Sequence, residues 1–401
     1  MPATVAVLAE TAPGERRVAL VPASVTTLVA GGLAVTVQAG AGAAGLAMSP
    51  EAADEAYRQA GASVVPEVDL AGVDVLAHVR PLGWEAIAGL RPGAVTVGFC
   101  SPTTELAAVR ALAAGGVTAL ALELVPRISR AQGMDALTSQ AFVAGYRAAL
   151  VAATHLPRFL PLAMTAAGTV PPARVLVLGA GVAGLQAIST ARRLGAVVSA
   201  YDVRAASADE VRSVGATFVE LDLDALEGAG GYAREMTEER AARQRELLAP
   251  HVAAADALIT TAAVPGRRAP LLVTTGMLAG MRPGSVVVDL AAESGGNVEG
   301  VVAGTTLDVE VTGGTVRLVG MADAAGALPV DASRLFSGNI TALLGLVTAD
   351  GEVRVDLADE VVAGACLTHA GEVRNAATAR LLAPEATSGA AGGADTGGGR
   401  A

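Results

Sequence analysis

One segment constrains this chain more than any other: Arg174-Val-Leu-Val-Leu-Gly179-Ala-Gly181-Val182-Ala183-Gly184, which runs straight into the helical stretch Leu185 to Arg193. A β-branched run followed by this glycine spacing and then a helix is the pattern of a strand, a tight turn and a helix whose first amides face an anion. Gly179 permits the turn, Gly181 lets backbone approach a pyrophosphate, and Gly184 permits close packing of helix on strand. Asp202 follows Gly179 by 23 residues, at the end of the next β-branched run. There a carboxylate accepts hydrogen bonds from both hydroxyls of an adenosine ribose and repels a 2′-phosphate, which favours NAD over NADP. Val203 and Arg204 complete that corner, and the Arg204 guanidinium is a group able to greet a 2′-phosphate. The competing explanation is that the glycines serve only turns and Asp202 only caps a loop.

Around this motif, short β-branched runs alternate with Ala/Leu-rich helical stretches. Val5 to Leu8, Leu33 to Gln38, Val73 to Ala77, Val95 to Phe99 and Val117 to Leu122 read as strands, with helices over 23–30, 50–60 and 105–114. A second set of strands runs through 174–178, 197–200, 217–219, 257–260, 285–289 and 317–319. Such alternation predicts an α/β chain, with parallel strands covered by crossover helices. The stretch Asp135 to Ala153 reads as a long helix between the sets, Leu335 to Leu346 as another helix, and Asp350 to Asp356 as a polar hairpin. The expected organisation is a first domain of residues 1–137 completed by 328–380, a nucleotide-binding domain of 138–327, and a disordered Gly/Ala-rich tail over 387–401.

Charge narrows the chemistry. All 28 basic residues are Arg, against 39 acidic residues, so net charge is −11 and a nucleic-acid partner is disfavoured. Without Lys there is no Schiff base and no phosphate-binding lysine. Cys100 and Cys366 lie far apart, and His78, His155, His251 and His369 never pair at ligand spacing, so neither a disulfide framework nor a metal site is indicated. Apolar runs are interrupted well short of a spanning helix, and the first residues lack a basic start, so the expected compartment is the cytoplasm.

A second polar concentration is Arg127-Ile-Ser129-Arg130-Ala-Gln132-Gly133-Met134-Asp135-Ala-Leu-Thr138, after a strand and before the long helix. Its groups suit orienting a nicotinamide carboxamide or binding an oxyanion, or they are a capped helix start with solvated arginines. Gly14-Glu15-Arg16-Arg17 suits a carboxylate, but its simpler reading is a surface turn. The loops holding Gly231-Tyr232, Thr261-Ala262-Ala263 and Asp289 to Asn297 fall at strand ends, where small residues let adenine and ribose approach, and Tyr232 on its glycine hinge suits a lid.

These stretches, with Met164 to Val175 and Ala144-Gly145-Tyr146-Arg147, resemble the NAD(H)-binding component of proton-translocating NAD(P) transhydrogenases, in the form with a separate alpha subunit, over about residues 1–385. The resemblance implies two Rossmann-like, doubly wound parallel-sheet domains flanking a cleft, and a homodimer. It implies NAD(H) held by Arg127, Asp135, Thr138, Gly179 to Gly184, Asp202, Val203, Arg204, Thr261 to Ala263 and a mobile loop with Gly231 and Tyr232. Arg127, Gln132 and Asp135 would act at the reacting rings, Gln132 reaching towards NADP(H) on a partner component. Hydride would pass from NADH to that NADP+, coupled to proton translocation through a membrane subunit on another chain, which would tether this one to the cytoplasmic membrane. Thr138 stands where the family usually has Ser, Gly133 replaces a usual Ser, and Met321 to Ala325, with its charge at Asp323, replaces a stretch with Asn and Pro. The nearest rival is alanine dehydrogenase, whose members use a Lys and a His in the first domain; here Val79-Arg80-Pro81 offers Arg, and Gly98-Phe99-Cys100 falls at the His position. An NAD-responsive regulator without hydride exchange is the second rival.

Overall fold

The five runs expected as strands in the first 121 residues, joined by Ser63–Val65, which the sequence did not mark, become parallel strands in the computed structural model, which describes residues 2–223, 237–264 and 266–383. They are β1 Thr4–Val7, β2 Ala34–Gln38, β3 Ser63–Val65, β4 Val75–Ala77, β5 Val95–Gly98 and β6 Thr118–Ala121, side by side in the order β6-β5-β4-β1-β2-β3. The strands β4, β5 and β6 are buried along their whole length, as continuous apolar runs covered on both faces must be. Two crossover helices, Pro22–Ala30 and Pro50–Gln59, start with Pro, whose missing N–H costs nothing in a first turn. Ser49 caps the second by accepting the Ala52 amide at 3.3 Å.

A small antiparallel hairpin, β7 Ala163–Thr165 and β8 Gly168–Val170, pairs with neither large sheet. It follows the long helix Ala136–His155, which matches the expected stretch from Asp135 to Ala153 and takes Asp135 as its cap. The second sheet holds β9 Arg174–Leu178, β10 Val197–Tyr201, β11 Thr217–Phe218, β12 Ala257–Thr260, β13 Val286–Asp289, β14 Thr306–Val311 and β15 Gly314–Gly320, in the order β11-β10-β9-β12-β13-β15-β14. Strand order reverses between β9 and β12, so a crevice opens outside their carboxyl ends. The sequence marked only residues 317–319 at the far edge. The structure instead closes that edge with an antiparallel hairpin turning at Gly313 and Gly314, both at positive φ. The outer strand β14 is largely exposed, and its polar Asp308 and Glu310 concealed it from a search for apolar runs.

The chain then returns. Helix Pro329–Val347, starting six residues before the expected Leu335, buries Phe336, Ile340, Leu343, Leu344 and Val347 in the same core as β1, β2, β4 and β5. A hairpin of β16 Thr348–Ala349 and β17 Glu352–Val353 turns through Asp350 and Gly351, and β18 Cys366–His369 adds antiparallel to β6, followed by β19 Glu372–Val373. Both large sheets are therefore parallel with an antiparallel edge. Residues of the expected tail over 387–401, and Gly231 and Tyr232, lie outside the described residues.

The connecting helix Ala136–His155 crosses the helix Val182–Arg193 at a point with no room for a side chain: a Cβ on Gly145 would lie 2.0 Å from the Ala183 carbonyl oxygen. Gly145→Ala gains about 1 kcal/mol of helix propensity but must push the helices apart, at a cost of about 1–3 kcal/mol. Thermal unfolding should show a lowered Tm for Gly145→Ala; an unchanged or raised Tm would mean that the helices do not touch there.

Candidate dinucleotide-binding cleft

The fingerprint turn is built from approaches too close for side chains. Gly179 takes φ +99°, and a Cβ there would meet Thr261 Oγ1 at 2.7 Å. A Cβ on Gly184 would lie 1.9 Å from the Gly179 carbonyl oxygen. Gly181 differs: nothing lies within 4 Å of the position its Cβ would take, and it is the N-terminal residue flanking helix Val182–Arg193. Open space at a helix N-terminus after a glycine turn suits a pyrophosphate, since the first amides of Val182, Ala183 and Gly184 lack partners within the helix.

Asp202 stands at the tip of β10, half-buried. Its Oδ2 accepts the Ala180 amide at 2.7 Å, which ties it to the glycine turn. Its Oδ1 accepts the Arg204 amide at 2.9 Å and Arg204 Nε at 3.0 Å, and Oδ2 accepts Arg204 Nη2 at 3.1 Å. These four bonds take up the carboxylate's lone-pair sites, about four in number, so a ribose hydroxyl gains an acceptor there only where Arg204 releases it. Arg204 folds onto Asp202, and that hydrogen bond raises its guanidinium further above the ordinary range.

The next loop carries residues that the sequence had marked only as a stretch. Thr261 Oγ1 donates to the Gly179 carbonyl at 3.0 Å, binding the loop after β12 to the fingerprint turn. Asn297 then holds Ala262 from both sides, accepting its amide at 3.0 Å and donating to its carbonyl at 2.8 Å. Asn297 is fully buried, and its own amide donates to Asp289 Oδ2 at 2.7 Å. Burial raises the Asp289 carboxyl above its ordinary value, opposed by amides of Ala291, Val298 and Asn297. Ala263 at the end of this loop is exposed. The Gly-Gly-Asn spacing after a strand ending in Asp was the only signal for Asn297.

In the Arg127 to Thr138 segment, Arg127, Gln132 and Thr138 are exposed, while Ala131 and Met134 are buried. The segment is a 3₁₀ turn, Ser129–Met134, leading into the long helix. Asp135 caps that helix: its Oδ1 accepts the Thr138 amide at 2.9 Å and its Oδ2 the Thr138 hydroxyl at 2.6 Å. The turn is pinned from behind by Asn339, which donates to the Gly133 carbonyl at 2.9 Å and accepts the Ser139 hydroxyl at 2.6 Å. Thr138 lies seven residues before Gly145, about 10 Å along the helix axis, so this loop and the amino end of the fingerprint helix share one rigid support.

Arg17 is no surface turn. It is 5% exposed, and the Glu15 side chain beside it is wholly buried. Glu15 Oε2 accepts Arg17 Nη2 and Arg80 Nε, both at 2.6 Å, and Arg17 Nη1 donates to Gln140 Oε1 at 2.9 Å. Asp323, from the loop after β15, reaches the same two guanidinium groups. Desolvation would raise the Glu15 carboxyl, but the hydrogen bonds and charge of Arg17, with the charge of Arg80, outweigh it and hold the group at about 2. With its pKa below the ordinary 4.5, ionised Glu15 stabilises the fold above about pH 4.5, and that contribution is lost as pH falls towards 2. Glu15→Gln should lower Tm at neutral pH and flatten its decline below about pH 4.5. Parallel Tm curves for the two proteins would refute this.

The chain is similar to known proteins along most of its length. The family models for the alanine dehydrogenase/PNT N-terminal and C-terminal domains match residues 6–144 and 148–376. An NAD(P) transhydrogenase subunit alpha chain from Rhodospirillum rubrum is 44% identical over 381 residues, covering 92% of this chain and 97% of that protein. A crystal structure of transhydrogenase from Sinorhizobium meliloti superposes with a TM-score of 0.82 at 45% identity, over 92% of this chain and 99% of that one. An L-alanine dehydrogenase superposes with a TM-score of 0.74 at 26% identity, over 94% and 99%. With both domain models matched and the fingerprint turn intact, the chain belongs to the alanine dehydrogenase/PNT family.

Proposed function

We propose that this chain is the NAD(H)-binding component of a proton-translocating NAD(P)+ transhydrogenase, passing hydride from NADH to NADP+ held on a partner subunit. The observation that carries the reading is the shared support of the two polar regions. The exposed Thr138 sits at the start of the helix that crosses the fingerprint helix at Gly145 and Ala183, and the exposed Gln132 and Arg127 lie on the turn and loop that lead into it. NADH bound along the fingerprint supplies the hydride. The chain's own role is to hold and orient: the Val182, Ala183 and Gly184 amides take the phosphates, and Asp202, with Val203 and Arg204 beside it, takes the adenosine ribose. Thr261 to Ala263 form the wall opposite Gly179. Arg127 and Asp135 with Thr138 steady the carboxamide and ribose at the reacting end, and Gln132 contacts the partner's nucleotide. Transfer between two nicotinamides needs no acid or base, only rings in contact with water kept out.

The domain division of this reading is 1–137 with 328–380 against 138–327. The partners are a second copy of the chain, an NADP(H)-binding component and a membrane proton channel on separate polypeptides. Exposed Phe142, Tyr146, Phe159, Leu162 and Met164, on the long helix and beside the β7-β8 hairpin, support a homodimer. Among the described residues no helix is long and apolar enough to cross a membrane, so the reading places proton passage and membrane attachment on the partners.

The test is hydride exchange from NADH to acetylpyridine adenine dinucleotide by the purified chain, with and without an NADP(H)-loaded partner component. Exchange that requires the partner and is lost in Gln132→Asn supports the assignment; turnover of pyruvate with ammonium moves it to an amino-acid dehydrogenase. In parallel, Asp202→Asn should weaken NADH binding at least about tenfold, because it removes a charged acceptor worth about 1.5–3 kcal/mol. Equal affinity would remove Asp202 from the ribose site.

A further inference from the structure

The charged cluster that joins loops of the two sheets has the form of an anion site with its occupant built in. Three N–H donors converge on one oxygen: Arg17 Nη2 at 3.2 Å, Arg80 Nη2 at 3.1 Å and the Gly326 amide at 3.2 Å all reach Asp323 Oδ1. The donors come from both sheets, the arginines from loops after β1 and β4 and Gly326 from the loop after β15. The chain bends to place this carboxylate. Asp323 takes φ +40°, its amide is anchored to Glu293 Oε2 at 3.1 Å, and Gly326 folds so tightly over it that a Cβ there would lie 2.0 Å from Asp323 Oδ2. That second oxygen is buried without a hydrogen-bond partner, an arrangement that serves the contact at Oδ1 rather than Asp323 itself.

We propose that Asp323 is a specificity residue that fills a carboxylate-binding site formed by Arg17, Arg80 and the Gly326 amide, and so excludes small 2-oxo monocarboxylates from the cleft. Arg17 and Arg80 carry two positive charges, Glu15 and Asp323 pair directly with both, and the charge of Glu293 also bears on Arg80. An incoming carboxylate finds no unmatched cation, and it would meet the charge of Asp323 at contact distance. Removing Asp323 takes away the carboxylate that both guanidinium groups reach and frees the three N–H donors at its Oδ1, where a small anion can replace it. Alanine, the substrate named for one similar structure, carries the carboxylate that such a site would have to receive. The inference deepens the proposed function by giving the cleft a reason to reject such substrates, and its test needs no hydride transfer.

The experiment is calorimetric titration of the full chain with pyruvate, for the wild type, Asp323→Ala and Asp323→Asn, with near-ultraviolet circular dichroism to show that each is folded. Asp323→Ala should bind pyruvate at least tenfold more tightly than the wild type, and adding Arg80→Gln should abolish the gain. Asp323→Asn, which tolerates the positive φ and keeps the side-chain volume, should shift in the same direction and carries the comparison if the alanine variant fails to fold. Equal affinity in wild type and folded variants, or a gain that persists with Arg80→Gln, overturns the proposal. Failed hydride exchange by the wild type overturns the proposed function and leaves this result standing.

Discussion

The cleft depends on backbone meeting backbone where no side chain fits. Gly184 against the Gly179 carbonyl seats the fingerprint helix on β9, Gly179 against Thr261 and Ala262 seats the loop after β12 on the turn, and Gly145 against Ala183 locks the long helix across it. Each approach removes the freedom of one element relative to another, and the three form a continuous chain from the Arg127 to Thr138 loop to the glycine turn that Asp202 is tied to. A site assembled on helix and strand ends in this way is held more precisely than one carried on loops alone, because the loops themselves are short and pinned.

Buried polar groups finish what these contacts begin. Asn297 fixes both backbone groups of Ala262 and is itself fixed by Asp289, so the wall opposite the glycine turn is rigid without any large side chain. Asn339 does the same for the turn at Gly133. Glu15, Arg17, Arg80 and Asp323 pair across the two sheets, with Asp323 Oδ2 left without a hydrogen-bond partner. Every partner in such a network counts, since a guanidinium or carboxylate stripped of its partner in a desolvated place costs several kcal/mol. A cation pair so fully engaged is structural in this chain, whatever anion the same geometry could hold in another.

Much of this was legible in the sequence because it is local. The strand, glycine turn and helix from Arg174 to Arg193, the alternation of the two strand sets, the Asp135 cap and the Asp350-Gly351 hairpin are each written in neighbouring residues, whose φ preferences and apolar periods act over a few positions. What escaped was non-local or polar. The edge strand β14 presents Asp308 and Glu310 to solvent, and β18, Cys-Leu-Thr-His, carries no apolar β-branched run to mark it as a strand that pairs with β6. Arg17 read as part of a surface turn because nothing near it in the chain reveals Gln140 or Asp323, more than a hundred residues away.

By itself, then, the sequence determined the α/β class, the glycine fingerprint with an acidic residue at the end of the next strand, the absence of lysine chemistry and the resemblance to transhydrogenases. The tertiary structure decided which polar residues meet: that Asp202 is tied to Ala180 and Arg204, that Thr138 and Asp135 bond to each other, and that Asp323 closes onto Arg17 and Arg80. The physical reason is range. Backbone conformation follows from adjacent residues, whereas the pairing of a buried charge is settled only when packing brings together groups that the chain keeps far apart and desolvation makes every unmatched one costly.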